Sequence, residues 1–492
     1  MRSHLLFVFL LLFPHAGFSK LLRYEISPLF GDGTLRLQVR AWFAGDADGT
    51  TELAIPTQFG GAEHLFRSIR SLVCTTPGVR LQINSDSTSA TLEHAPGQDL
   101  KLYYEVVQDF PGAAATEKTA YRPILQPSYF HFLGNAFFIA PKWNETYDVA
   151  FEWRNFPPNW LLHNSFGSQS ALQKFSFPTL RWLQSVFVGG DYRLHRAEVA
   201  GKPVCLAVRG DNWGFQDDTL FSLLQRMVAT QRDFWQDFDM PCYTVALTPF
   251  EGFAENPSDF AYLGTALTNS FAAFSTPHPE QDLDDLCRLF QHEMMHHWIG
   301  CHIRSGCRNM QFAWFIEGFT EYFALKNMLD GGFATPDQYM KRLNDHIFEK
   351  LYASPKREAP NSAIADSFFR CPYLKELPYL RGCVFAFFLD NSIKSASNDR
   401  QNLHLFMLDL LEYYQQPGRD LLNNFDFFLE RCSEYTETDV EALYQKYIQE
   451  GKLIPADEFA LPPYLKIEQD EEGRPFFWLD KSVDGWKKGL KE

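Results

Sequence analysis

The stretch from His292 to Tyr322, HEMMHHWIGCHIRSGCRNMQFAWFIEGFTEY, constrains this chain more than any other. It opens on H-E-x-x-H, with His292, Glu293 and His296 set among apolar residues. An α-helix turns about 100° per residue, so His292 and His296 lie one above the other on a single face. Two imidazoles at that spacing can hold one Zn2+ ion, with Glu293 beside them to take a proton from the metal-bound water. An open catalytic site wants a third protein ligand, and the apolar run AWFIEGFTEYF offers Glu317 on what reads as the next helix. Two histidines with one glutamate are a known donor set of catalytic zinc.

The neighbours of these residues sort by the same geometry. Glu321 follows Glu317 by one turn, and two bare carboxylates on an apolar helix repel each other. Glu321 is therefore expected to accept the outer N–H of a ligand histidine, which fixes the ring and its tautomer. His297 sits about 140° round the helix from His292, so it faces away from the metal and reads as a packing or surface histidine. The expected chemistry is hydrolysis: the metal polarises a carbonyl and acidifies water. Glu293 takes the proton and delivers it to the leaving amine. The tetrahedral oxyanion then needs a second donor besides the metal.

At 492 residues the chain has room for two or three domains. Charged residues are 22% and aromatics 16%, a globular rather than a disordered composition. A formal charge of −16 argues against a nucleic-acid partner, because neutralising phosphates takes basic patches. The partner expected is a peptide or protein substrate; the oligomeric state is left open.

Residues 1–19 read as a signal peptide. Arg2 and His4 precede an apolar run from Leu5 to Phe13, and Gly17 and Ser19 precede a cut before Lys20. That run is too short to span a bilayer, and no later one is long and apolar enough, so an exported protein, periplasmic or secreted, with no stable membrane span is expected. The 9 cysteines are spread along the chain and cannot all pair within it. In an exported chain Cys301 and Cys307 are placed to close the loop between the two metal-bearing helices, and Asn144-Glu145-Thr146 is a lone glycosylation sequon.

The order of patterns gives a multidomain α+β chain. From 20 to 196, segments such as TLRLQVRAWF, KLYYEVV and YDVAFEW alternate or form short apolar runs between turn residues, which predicts an antiparallel β-sandwich-like domain. From 197 to 455 helical patterns dominate, with CYTVALTPF and LGTALTNSFAAF as single strands. Thr335 with Gln338 and Thr438 with Glu441 read as capping boxes that open helices. Residues 456–492 form a short tail with one hairpin near Glu472-Gly473.

Taken together, the motifs resemble the thermolysin-like gluzincin metallopeptidases, most closely the glycyl aminopeptidase family and more distantly the aminopeptidase N-type enzymes. Twenty residues separate His296 from Glu317, a longer interval than in aminopeptidase N-type enzymes but one that the glycyl family tolerates. That family's W-x-x-x-x-I-R is matched by Trp298, Ile303 and Arg304, and its E-G-x-T-x-Y by Glu317, Gly318, Thr320 and Tyr322. The resemblance spans about 240 to 455 and implies a thermolysin-like zinc peptidase domain. It also implies that Tyr379, in Tyr379-Leu380-Arg381-Gly382, donates its hydroxyl to the oxyanion, with Tyr373 as the rival.

One departure bears on the substrate. Such aminopeptidases bind the substrate's free amine with a Glu in a Gly-rich phrase upstream of the metal helix. Here that phrase is Gly264-Thr265-Ala266-Leu267-Thr268-Asn269-Ser270, and Ala266 stands where the Glu is expected. A methyl group cannot pair with an ammonium. The expectation is a zinc metallopeptidase, an aminopeptidase first. The alternatives are an endopeptidase, a zinc-binding scaffold that has lost turnover, and a zinc hydrolase of a non-peptide substrate.

Overall fold

In the strand Thr34–Ala44 every second side chain is apolar, and those side chains are the buried ones: Leu35, Leu37, Val39, Ala41 and Phe43. Successive side chains of a strand point to opposite faces, so the alternation becomes one inner and one outer face. The computed structural model describes residues 20–491 except 32, 113–114, 144–145, 169–171, 178–179, 251–261, 282 and 306–309. The candidate signal peptide, the sequon at Asn144 and Cys307 lie outside the described residues.

The chain divides into two units, the first made of residues up to 114 with 118–192, the second of 115–117 with 193–492. The first holds a six-stranded sheet in the order Leu172–Phe177, Tyr147–Trp153, Lys20–Gly31, Thr34–Ala44, Asp99–Val106, Ile69–Cys74. A four-stranded and a five-stranded sheet complete it. Side chains from all three share one core, rich in aromatic rings in mutual contact such as Phe132, Phe138, Phe151, Trp182 and Phe187. The expectation of an antiparallel domain needs one correction: Lys20–Gly31 pairs with Tyr147–Trp153 in parallel. Alternation encodes which face is buried but not strand direction, and the long connection between these two strands allows the crossover a parallel pair requires.

The second unit opens on β1 (Arg193–Val199) and β2 (Lys202–Val208), followed by α1 (Asp217–Trp235) and β3 (Tyr243–Pro249). The phrase read as a single strand from Leu263 is instead a hairpin of β4 (Tyr262–Leu267) and β5 (Ser270–Ser275). Asn269 takes φ 50° at the turn, a left-handed conformation that Asn tolerates better than most residues. The sheet order is β1-β2-β3-β5-β4, so β4 ends the sheet.

Three helices carry the site: α2 (Leu283–Met295), α3 (Ala313–Asp330) and α4 (Pro372–Ser397). α3 is apolar on nearly every side and is buried along most of its length, as a helix packed between neighbours must be. It contacts both α2 and α4. Thr335 and Gln338 form the capping box expected of them. At the other predicted box the cap is Asp439, which accepts from the Ala442 N–H, because the Thr438 hydroxyl turns to Thr436 instead.

Residues 456–492 are tied into the same core as the helices. The hairpin Leu465–Gln469 and Pro475–Leu479 buries Phe477, and the last helix, Trp486–Lys491, buries Leu490. The buried Lys326 on α3 donates to the Leu490 carbonyl at 2.6 Å and to that of Lys491 at 3.2 Å. A cation at the carbonyl end of a helix is the favourable partner for its dipole. Among the described residues no helix is long and apolar enough to cross a membrane.

Candidate active site

His292 and His296 project from the end of α2 with ring centroids 4.8 Å apart, and Glu317 reaches them from α3. The Glu317 Oε2 lies 3.4 Å from the Nε2 of each ring. Two donors bound about 2.0–2.1 Å from one tetrahedral ion are roughly 3.4 Å apart, so this set fits a single metal ion.

The outer ring nitrogens explain why the inner ones face Glu317. His296 Nδ1 lies 3.2 Å from the Ile299 carbonyl, which can only accept, so that nitrogen carries the proton and donates it. His292 Nδ1 lies 2.8 Å from the Glu321 carboxylate. Both rings thus turn Nε2 toward Glu317, the nitrogen through which each could ligate a metal. Arg288, one turn ahead of His292 on α2, holds Glu321 from the other side at 3.0 and 3.3 Å. Burial would raise Glu321, but Arg288 and His292 prevail and hold it down to about 2. Glu317 likewise stays well below the usual carboxylate range against its burial, chiefly through His296 and His292. Burial works against a charged His292 too, yet Glu317 and Glu321 push it up to about 10. The field between the rings therefore favours a cation. Glu321→Gln is expected to weaken Zn2+ binding by roughly 10- to 100-fold while the fold is kept. Equilibrium dialysis against zinc measures it, and an unchanged affinity would remove Glu321 from the site.

Each residue of the E-G-x-T-x-Y phrase has a separate task. Glu317 faces the rings, and the Thr320 hydroxyl lies 3.4 Å from His296 Nδ1. Tyr322 points the other way and donates to buried Asp390 at 2.6 Å, tying α3 to α4. Gly318 meets Gly382 of α4 so closely that a Cβ on Gly318 would lie 2.3 Å from the Gly382 Cα. This close crossing sets α4 against α3, and the ring of Tyr379 stacks on that of His292 at 5.7 Å. Tyr373, the rival candidate, is 53% exposed and is not among the side chains described around the rings.

Glu293 is buried, and burial pushes its carboxyl above the ordinary range, while a hydrogen bond from the Ala266 backbone N–H pulls the other way. Gly264 makes room for it: a Cβ there would lie 2.3 Å from a Glu293 oxygen. Thus Gly264, Thr265 and Ala266 sit on β4, opposite Ala273, Ala272 and Phe271 of β5, and the strand runs beside Glu293.

Sequence reasoning missed Arg288 and Gly382. The i,i+4 spacing of Arg288 and His292 was a signal for the first. Gly382 was visible only as the last letter of the Tyr379 phrase. The W-x-x-x-x-I-R residues support the end of α2: Trp298 is fully buried and stacks on Trp235 at 5.6 Å, and the Arg304 carbonyl accepts from the Leu421 N–H at 2.7 Å.

Comparison with known proteins follows this geometry. Residues 285–370 match the family model of the M61 glycyl aminopeptidases, a stretch that contains His292, Glu293, His296, Glu317 and Glu321. A search of curated proteins finds no match. Among solved structures, the chain is similar to the crystal structure of an aminopeptidase N family protein from Idiomarina loihiensis, with a TM-score of 0.73 and 16% identity over 91% of this chain and 79% of that one. At that identity the likeness is one of fold, a multidomain α+β architecture with a sheet-rich N-terminal part and a helical part after it. The resemblance to a gluzincin-type aminopeptidase family stands on these findings, and the family match supports a peptidase acting on peptide substrates.

Proposed function

We propose that this chain, which carries the glycyl aminopeptidase signature across its His-bearing and Glu-bearing helices, is a zinc-dependent peptidase that removes residues from peptide N-termini. The observation that carries the reading is the convergence of His292 Nε2, His296 Nε2 and a Glu317 oxygen within 4.8 Å of one another, with each ring held by a partner at its outer nitrogen. These three residues would hold the metal. When bound, the ion supplies Lewis acidity to a carbonyl and makes water a stronger acid.

The chain's own groups do the rest. Glu293, raised by burial, takes the proton of the attacking water and hands it to the leaving amine. Tyr379 donates its hydroxyl to the carbonyl oxygen as negative charge builds there. β4, at the edge of its sheet, offers backbone groups with which an extended peptide can pair as an added strand. Gly264 keeps that strand close to Glu293.

The second reading is an endopeptidase, and Ala266 favours it. Its methyl group offers nothing to an ammonium, so the amine is held elsewhere or is not required. Hydrolysis of matched free and N-acetylated peptides separates the two. Acetylation is expected to lower kcat/KM by at least about tenfold, the loss of roughly 1.4 kcal/mol of recognition. Equal rates would overturn the aminopeptidase reading and leave the endopeptidase; no cleavage in a broad peptide library by the zinc-loaded protein would overturn both.

A further inference from the structure

A second group of donors lies on the far side of α2. His297, which the helical geometry turns away from His292, comes together with His302 and Asp237, and the three present one nitrogen or oxygen each within 4.8 Å of one another. The two imidazole rings are 4.9 Å apart between centroids. None of these residues belongs to the site of His292, His296 and Glu317.

Each donor stands on braced structure. The Asp237 carboxylate is oriented through both oxygens: Oδ1 accepts the Asp239 N–H at 3.1 Å and Oδ2 accepts the indole N–H of Trp298 at 2.9 Å. His297 packs edge-on against Trp298 at 5.0 Å. His302 lies in a tight turn where the Gly300 N–H donates to the Ile303 carbonyl at 2.9 Å and the Ile303 N–H to the Trp298 carbonyl at 2.8 Å. Gly300 takes φ 113° there, a conformation closed to most other residues. All three donor residues are half-buried, which leaves an entry path from solvent.

We propose that Asp237, His297 and His302 form a second divalent-metal site, one that binds a transition metal such as Zn2+ and serves the fold. Two imidazoles and a carboxylate are a borderline donor set, suited to Zn2+, Ni2+ or Cu2+, whereas Ca2+ and Mg2+ ask for oxygen donors throughout. Donors around one ion lie roughly 3.4 Å apart, a spacing that side-chain rotation can reach from separations of 4.8 Å or less. The bound ion ties the turn that leaves the His-bearing helix to the segment that follows α1.

The test is metal stoichiometry. The unaltered chain, and the same chain with His297→Ala and His302→Ala, are dialysed to equilibrium against micromolar free Zn2+ and their bound zinc is counted. The expected result is the loss of one equivalent per chain in the double variant. Because the readout is this difference, it holds whether or not the first site is loaded. The same number of equivalents in both proteins would overturn the proposal and leave the three residues as a hydrogen-bonding cluster only. If the double variant does not fold, Asp237→Asn serves instead, since an amide oxygen still accepts from Trp298. It is expected to weaken one equivalent at least about tenfold while leaving any other unchanged. An unaltered binding isotherm for Asp237→Asn would likewise overturn it.

Discussion

Glu293→Gln is expected to lower kcat by at least roughly 10²–10⁴-fold, the span of general-base catalysis, while bound zinc stays at the wild-type level. The reason is local. Gln has the shape of Glu, keeps an acceptor for the Ala266 N–H and fits the space that Gly264 leaves, but it cannot take a proton. The convergent donor set of His292, His296 and Glu317 is untouched by the change. Turnover of a peptide substrate and metal content measured on one preparation provide the check. A variant within tenfold of wild type would remove Glu293 from the mechanism. Tyr379→Phe gives the contrast: it keeps the ring that stacks on His292 and deletes only the hydroxyl. The expected loss is about 10²–10³-fold, in kcat rather than in KM, as for a donor that acts only when charge develops.

Gly382→Ala is expected to be the most destabilising single methyl in the second unit. A Cβ at Gly382 would lie 1.9 Å from the backbone carbonyl oxygen of Trp314 and 2.8 Å from the Cα of Gly318. These are backbone atoms of α3, so no side-chain rotation relieves the contact, and the two helices must move apart. Forced overpacking of a core costs about 1–3 kcal/mol, and backbone-on-backbone contact belongs at or above the upper end. The helices that would separate carry Glu317 and Glu321 on one side and Tyr379 on the other. Denaturant unfolding should therefore report a loss of about 3 kcal/mol or more, and the residual folded fraction should turn over peptide more slowly than wild type. A fall of less than about 0.5 kcal/mol, the range of ordinary surface changes, would rule out the close crossing.

Much of this was legible along the chain because the signals are local. The spacing of His292 and His296 needs only the pitch of a helix, and the burial of Leu35, Leu37 and Val39 only the period of a strand. Glu321 was predicted against a ligand histidine because a second carboxylate one turn from Glu317 needs a partner, and it is found 2.8 Å from His292 Nδ1. The hairpin of β4 and β5 was misread as one strand because Thr268-Asn269 is a weak turn signal beside two apolar runs. The parallel pairing of Lys20–Gly31 with Tyr147–Trp153 has no local signature at all.

By itself, then, the sequence determined the donor types, their helical spacing and the chemistry they allow, since these follow from residue identity and the geometry of one helix. The tertiary structure decided what lies across from each of them. Arg288 and Glu321 meet between two helices, Gly318 and Gly382 meet where two backbones cross, and Asp237 comes beside His297 and His302 from a separate segment. Such partners are distant in the chain, and only the packing of the core brings them within a few ångströms, because a contact between helices is set by shape and burial rather than by any pattern along either one.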